Sequence, residues 1–151
     1  GKNGCLYEHG LSFYIETNHH KLLLDTGASE ATLENAKKLG IDLTRVDTVI
    51  LSHGHYDHSG GIMAFAKLNP KAKIYFLLIS NTNGRLDRSN KRIDQLNKRL
   101  ISAFSQQVTI IDTKPLSDMF GDLRSEYTLD GLHFSDEGYK HLKAIVEEAI
   151  K

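Results

Sequence analysis

The chain has one cysteine, Cys5, two prolines and no tryptophan in 151 residues. A single thiol excludes an internal disulfide and any metal site built from clustered cysteines. No apolar run approaches the roughly 18–20 residues that cross a bilayer, and the opening Gly1-Lys2-Asn3-Gly4 has no apolar stretch of the secretory kind. A cytoplasmic protein with no membrane partner is expected, or a recombinant one with no natural compartment. Charge of one sign is missing too: Lys plus Arg number 19 and Asp plus Glu 19, and the balance is kept in each half, 8 and 8 over residues 1–75 and 11 and 11 over residues 76–151. Without a basic field to gather phosphates, nucleic acid is not an expected partner. There is no internal repeat, low-complexity tract or linker. What remains, 40% hydrophobic and 25% charged residues, is the composition of a folded globular chain.

Its segments alternate. Leu11–Thr17 and Lys21–Asp25 read as strands joined by a hairpin turn at Asn18-His19-His20. Ser29 is a candidate cap for a helix through Leu33, Ala36 and Leu39 that stops at Gly40. Thr48–Leu51 is wholly apolar, as in a buried parallel strand. Ile62–Leu68 reads as a short helix stopped by Asn69-Pro70, and Lys73–Ile79 as the longest strand. Ile93, Leu96, Leu100, Ile101 and Phe104 place one apolar stripe on a helix over about 89–105. Val108–Asp112 is a further strand. A last helix over about 135–150 is capped by Ser135 and expected to bury Tyr139, Leu142, Ile145, Val146 and Ala149. The sum predicts a single α/β domain over residues 1–151. Its mostly parallel five-stranded sheet, with flanking helices of Rossmann or flavodoxin-like kind, opens with an N-terminal β-hairpin.

The carboxyl end of the Thr48–Leu51 strand carries Ser52-His53-Gly54-His55-Tyr56-Asp57-His58-Ser59-Gly60-Gly61. Two loop histidines are ordinarily just solvated. Three imidazoles and a carboxylate within six residues, at the end of a buried strand, are the donor set of zinc and similar divalent ions. HGHYDH resembles the HxHxDH signature of the metallo-β-lactamase fold superfamily. Glu8–Phe13, Leu24–Gly27 and Asn35–Leu43 are similar to its branch of dihydropterin-processing and other small-molecule hydrolases, so the likeness covers about residues 5–76. It implies that His53 and His55 hold one zinc ion, that Asp57 and His58 hold a second, and that Asp25 orients a ligand. Enzymes of this family are longer, and complete their sites with later ligands that this chain lacks.

From Phe76 onward the text differs. Asn90–Asn97, Val108–Asp112 and Tyr127–Tyr139, with its block DGLHFSDEGY, resemble the carboxyl-terminal part of SGNH (GDSL-type) hydrolases, over about residues 74–151. The resemblance implies that Asp130 and His133 are the acid and base of a Ser-His-Asp triad. No Gly-Asp-Ser block is present, and Ser52, Ser80 and Ser89 match none of the family's blocks. The dyad is therefore expected to be vestigial or repurposed.

Two incomplete families meeting inside one strand, between segments 1–75 and 76–151, point first to a recombined or engineered chimera. Such a chain would keep a partial zinc loop and have no evolved substrate. The alternative is a metal-dependent hydrolase of esters, lactones or phosphoesters, with Asp57 catalytic, and with His133, oriented by Asp130, as a further candidate ligand for one or two zinc ions. A second alternative is an SGNH-type esterase remnant without its nucleophile. A homodimer through an uncovered sheet face is also expected. Three smaller features read as ordinary surface: His19 and His20 at the turn, His141 on the last helix, and Arg85, Arg88, Lys91 and Arg92 interleaved with acids. His9 is open between a structural role and a place facing the histidine loop.

Overall fold

A computed structural model describes residues 2–151; Gly1, the first residue of the opening stretch considered above, lies outside them. The fold is α/β, with a five-stranded, mostly parallel sheet in the order β1-β2-β3-β4-β5 and flanking helices. The strands are β1 (Phe13–Glu16), β2 (Lys21–Leu24), β3 (Thr48–Leu51), β4 (Lys73–Leu77) and β5 (Thr109–Ile111). The helices are α1 (Ala31–Lys38), α2 (Tyr56–Ser59), α3 (Ile62–Leu68), α4 (Asn90–Phe104) and α5 (Asp136–Ala149). Among the described residues no helix is long and apolar enough to cross a membrane. The chain divides into two compact units, Gly1–Phe76 and Leu77–Lys151.

In the first unit β1 and β2 form the expected antiparallel hairpin, and β3 adds to β2, and β4 to β3, in parallel. The turn owes its shape to Thr17, whose hydroxyl accepts from the amides of His19 and His20. Asp47 then sets the register of β2 against β3. Its carboxylate accepts from the Lys21 amide at 2.7 Å and pairs with His20 Nδ1 at 2.7 Å, so His20 is not a free turn residue. Val49, on the wholly buried β3, is fully buried, as are Leu23 and Phe65 of α3. Helix α1 departs from expectation at its start. Its N-cap is Glu30, which makes no side-chain cap, while Ser29 Oγ accepts from the Ala31 amide and donates to Glu8. Gly40, at φ +72°, follows its end as expected. Asn69 stops α3 and is itself buried: its amide donates to the carbonyls of Leu43 and Val46, and its oxygen accepts from the Ala72 amide.

The second unit is held differently. Helix α4 is capped by Ser89 and docks through amides. Asn97 accepts from the Ile79 amide and donates to the Ile79 carbonyl, at 2.9 and 2.8 Å. Asn90 does the same to both main-chain groups of Thr82 and also donates to Asp122. This is why β4 ends at Leu77 and not at Ile79: the side chain of Asn97 takes the ladder groups of the later residue. The apolar stripe of α4 is correspondingly not core, with Leu96, Ile101 and Phe104 all 40% exposed or more. In α5 the buried stripe is also narrower than expected, since Tyr139 and Ala149 are exposed. Leu142 and Ile145 pack on a cluster of Leu116, Leu123 and Tyr127, and His141 lies against the Tyr127 ring at 4.4 Å.

Removing the Asn69 amide takes from the buried Val46 carbonyl its side-chain donor and leaves the Leu43 carbonyl with the Val46 amide alone. Asn69→Ala is expected to cost about 2–3 kcal/mol, read as a lower urea midpoint with unchanged slope.

Candidate metal centre

The construction of the site starts at Asp25, the residue after β2. It is 3% exposed and has a backbone φ of +59°, a left-handed conformation that Asp tolerates better than most residues. Its amide donates to the Ile50 carbonyl, which turns the carboxylate toward the end of β3. There Oδ1 accepts from the Ser52 amide at 2.8 Å, and Oδ2 accepts from the Ser52 hydroxyl at 2.6 Å and lies 2.7 Å from His58 Nδ1. Every one of these partners belongs to the histidine loop or its first residue.

The hydrogen bonds fix the tautomers. A carboxylate only accepts, so His58 Nδ1 carries its proton toward Asp25. The Ser52 hydroxyl has given its one proton to Asp25, so at 2.8 Å it accepts from His53 Nδ1. In the neutral form of each ring it is therefore Nε2 that is unprotonated, the state a metal requires of an imidazole. Burial lowers the His53 pKa, and the neighbouring His58 and His55 lower it further, so this ring is neutral at ordinary pH.

The loop turns back on itself through α2, one helical turn where the sequence suggests only a loop. His55 is its N-cap, and its carbonyl accepts from the amides of His58 and Ser59. That turn brings the His53 ring to 4.2 Å from His58 and 4.7 Å from His55, between centroids, and sets Asp57 Oδ2 3.6 Å from His58 Nε2. The following glycines allow the tight passage. A Cβ on Gly60 would fall 2.0 Å from the Ala28 carbonyl oxygen. Main-chain bonds from Thr26 to His58, Leu11 to Asp57 and Gly61 to Gly27 stitch the loop to the segment after β2.

The structure thus brings the rings of His55 and His58 against His53 and the Asp57 carboxylate near His58, with the Asp25 carboxylate bonded to His58. Ser52, which spacing alone does not mark as a support, completes it through bonds to Asp25 and His53. Its signal was its position, first after a buried strand and directly before the motif. The donor set, two free Nε2 atoms with a carboxylate and a third ring, has the chemistry of a zinc site. Among the described residues no three His, Cys, Asp or Glu side chains already close on a common metal position. A groove of about 420 Å³ in the same unit, walled by Glu8, Ser12, Tyr14 and Asn35, includes none of these ligands.

In the second unit, Asp130 and His133 make the expected dyad. His133 Nδ1 lies 2.7 Å from Asp130 Oδ2, while Oδ1 accepts from the amides of His133 and Leu132. The Asp130 carboxyl is held well below the usual range, first by the His133 amide, then by the His133 ring and the Leu132 amide. Both side chains are open to solvent. Ser89 is occupied as the cap of α4. The Arg85 guanidinium pairs with Asp87 through two nitrogens, as expected of a solvated helix start.

The model of the Metallo-beta-lactamase superfamily matches residues 7–132. Among curated proteins, the chain is 39% identical over 74 residues to a 7,8-dihydropterin-6-methyl-4-(beta-D-ribofuranosyl)-aminobenzene-5'-phosphate synthase of Methanocaldococcus jannaschii, covering 45% of this chain and 25% of that one. It is 39% identical over 61 residues to a UPF0173 metal-dependent hydrolase of Staphylococcus aureus, covering 39% and 25%. The match therefore spans about a quarter of the length of each relative. Among solved structures, a candidate platelet activating factor from Streptococcus pneumonia superposes with a TM-score of 0.59 at 29% identity, over 79% of this chain and 66% of that one. A GDSL-like lipase from Bacteroides thetaiotaomicron, at 20% identity, shares the fold with a TM-score of 0.52 over 83% and 71%.

The depressed carboxyl gives a pH test. A group whose folded pKa lies below its unfolded value stabilises the fold above the unfolded pKa and loses that contribution as pH falls toward the folded one. Urea midpoints of the wild type are expected to fall more steeply below about pH 4 than those of Asp130→Asn, and to run parallel to them above it.

Proposed function

Because the chain belongs to the metallo-beta-lactamase superfamily, we propose that it is a metal-dependent hydrolase whose loop His53–His58 holds one or two zinc ions. Members of this superfamily depend on metal, typically zinc. The observation that carries the reading is the orientation of two imidazoles by one buried carboxylate: Asp25 holds His58 directly and His53 through Ser52, leaving both Nε2 atoms free.

Four side chains, His53, His55, Asp57 and His58, would hold the metal. Zinc in such a setting supplies Lewis acidity toward water and toward a carbonyl or phosphoryl oxygen. The rest is done by the chain. Asp25 and Ser52 keep the rings in the metal-binding tautomer and orientation. Asp57, a fifth exposed on its side chain, is the carboxylate placed to take the proton shed by an attacking water. Esters, lactones and phosphoesters are the substrate classes that this chemistry serves.

We also propose that the unit from Leu77 onward descends from a GDSL-type esterase that lacks its serine, joined to the metal-binding unit within β4. The support is the Asp130–His133 pair, the GDSL-like fold likeness, and a unit boundary at Phe76/Leu77 where the two sequence resemblances meet.

Activity on lactone, phosphoester and aryl-ester substrates, measured with and without a chelator, separates the readings. Hydrolysis that a chelator abolishes and zinc restores is expected. Chelator-insensitive ester hydrolysis, lost in His133→Ala, would overturn the metal-dependent reading. Asp25→Asn, whose amide cannot accept at both oxygens, is expected to weaken zinc affinity by about 10–100-fold in competition with a chromophoric chelator.

A further inference from the structure

We propose that His9, which lies outside the HxHxDH motif, is an additional ligand of the metal held by Asp57 and His58. The inference rests on the metal-dependent reading above and adds a residue to it.

His9 Nε2 lies 3.4 Å from Asp57 Oδ2, and the same oxygen lies 3.6 Å from His58 Nε2. A tetrahedral ion with bonds of about 2.0–2.1 Å has donor–donor edges of about 3.3–3.4 Å. Two donor–donor edges that meet at the Asp57 oxygen, at 3.4 and 3.6 Å, therefore lie within about 0.3 Å of that length. An ordinary surface pair between a histidine and a carboxylate would involve Nε2 and oxygen alone. Here a second imidazole nitrogen, with its own proton committed to Asp25, faces the same oxygen.

The backbone around His9 is built to hold it there. On one side Glu8 is anchored, Oε1 accepting from the Ala28 amide and Oε2 from the Ser29 hydroxyl. On the other, the Leu11 amide donates to the carbonyl of Asp57 itself at 2.9 Å, and the Leu11 carbonyl accepts from Gly27. Between them, Gly10 passes so close that a Cβ would fall 2.8 Å from the Ala28 nitrogen and 2.9 Å from the Asp57 carbonyl oxygen. Any side chain at position 10 would push this segment away from Asp57. The His9 ring, in contrast, is 83% exposed and touches no packing that would resist its turning onto an ion. A fixed backbone with a free ring is the arrangement of a ligand that closes on its metal after the motif has caught it.

The test is cobalt(II) titration of the full chain, followed by optical absorption and by the count of paramagnetically shifted imidazole N–H resonances in proton NMR. The variants are His9→Ala, His9→Gln, His55→Ala and His19→Ala. In the wild type, one shifted resonance is expected to vanish in both His9 variants, with affinity for the weaker metal equivalent reduced at least about tenfold, on the scale of losing a partner of a metal ligand. His9→Gln retains a hydrogen-bond donor for Asp57, so its failure to restore affinity distinguishes ligation from a contact to the carboxylate. His19→Ala, at the exposed hairpin turn, is expected to match the wild type. Equal affinity and an unchanged resonance count in His9→Ala, with His55→Ala impaired, would overturn the His9 assignment alone. A wild type that binds no cobalt, or binds it as His55→Ala does, would overturn the metal reading and this assignment with it.

Discussion

The buried carboxylate of Asp25 is the constraint on which the metal centre depends. A carboxylate at 3% exposure is tolerated only where hydrogen bonds replace its water. Asp25 satisfies that requirement entirely from Ser52 and His58. The need to solvate one charge thus fixes where the loop begins, which nitrogen of His58 is protonated and, through the Ser52 hydroxyl, which nitrogen of His53 is. The left-handed backbone at Asp25 is the local cost of aiming the carboxylate at β3, and the Ile50 carbonyl holds it in place. Chain connectivity has no part in this, for Asp25 and His58 are 33 residues apart.

The second Asp–His pair shows what the first would be without burial. Asp130 and His133 stand three residues apart, in a turn that the Asp130 carboxylate closes against the amide and the ring of His133. Their geometry is as good, yet both face water, so the pair orients a ring without sequestering it. A third pair, His20 with Asp47, serves strand register. The same two residue types therefore do three jobs, and what distinguishes them is depth and what else the carboxylate accepts.

Much of this is legible in the sequence where a signal is local. TVIL could only be a buried strand, IMAFAKL ends where Asn69 stops it, and HGHYDH declares its donors by spacing. Asp25 enters through a resemblance, and Ser52 only as a serine that matches no nucleophile block, because its role lies in a hydrogen bond to a residue far off in the chain. Helix α2 was hidden because four residues of HGHYDHS carry no periodicity. The apolar stripe of α4 misled for a different reason. Periodicity reports which face is apolar, whereas Asn90 and Asn97 had an alternative that periodicity does not record, the unpaired main-chain groups of Ile79 and Thr82. On α5, Tyr139 stayed outside although it falls on the predicted stripe.

The docking of α4 has a thermal consequence. An interface of buried hydrocarbon loosens on cooling, because the hydration that drives it fades. The attachment of α4 to residues 79–82 includes amide-to-peptide pairing, and none of its apolar residues is fully buried. Its hold on residues 79–82 therefore depends less on heat-capacity effects than a wholly apolar contact does, whereas the Leu116–Leu123–Tyr127 cluster beside α5 carries that dependence in full.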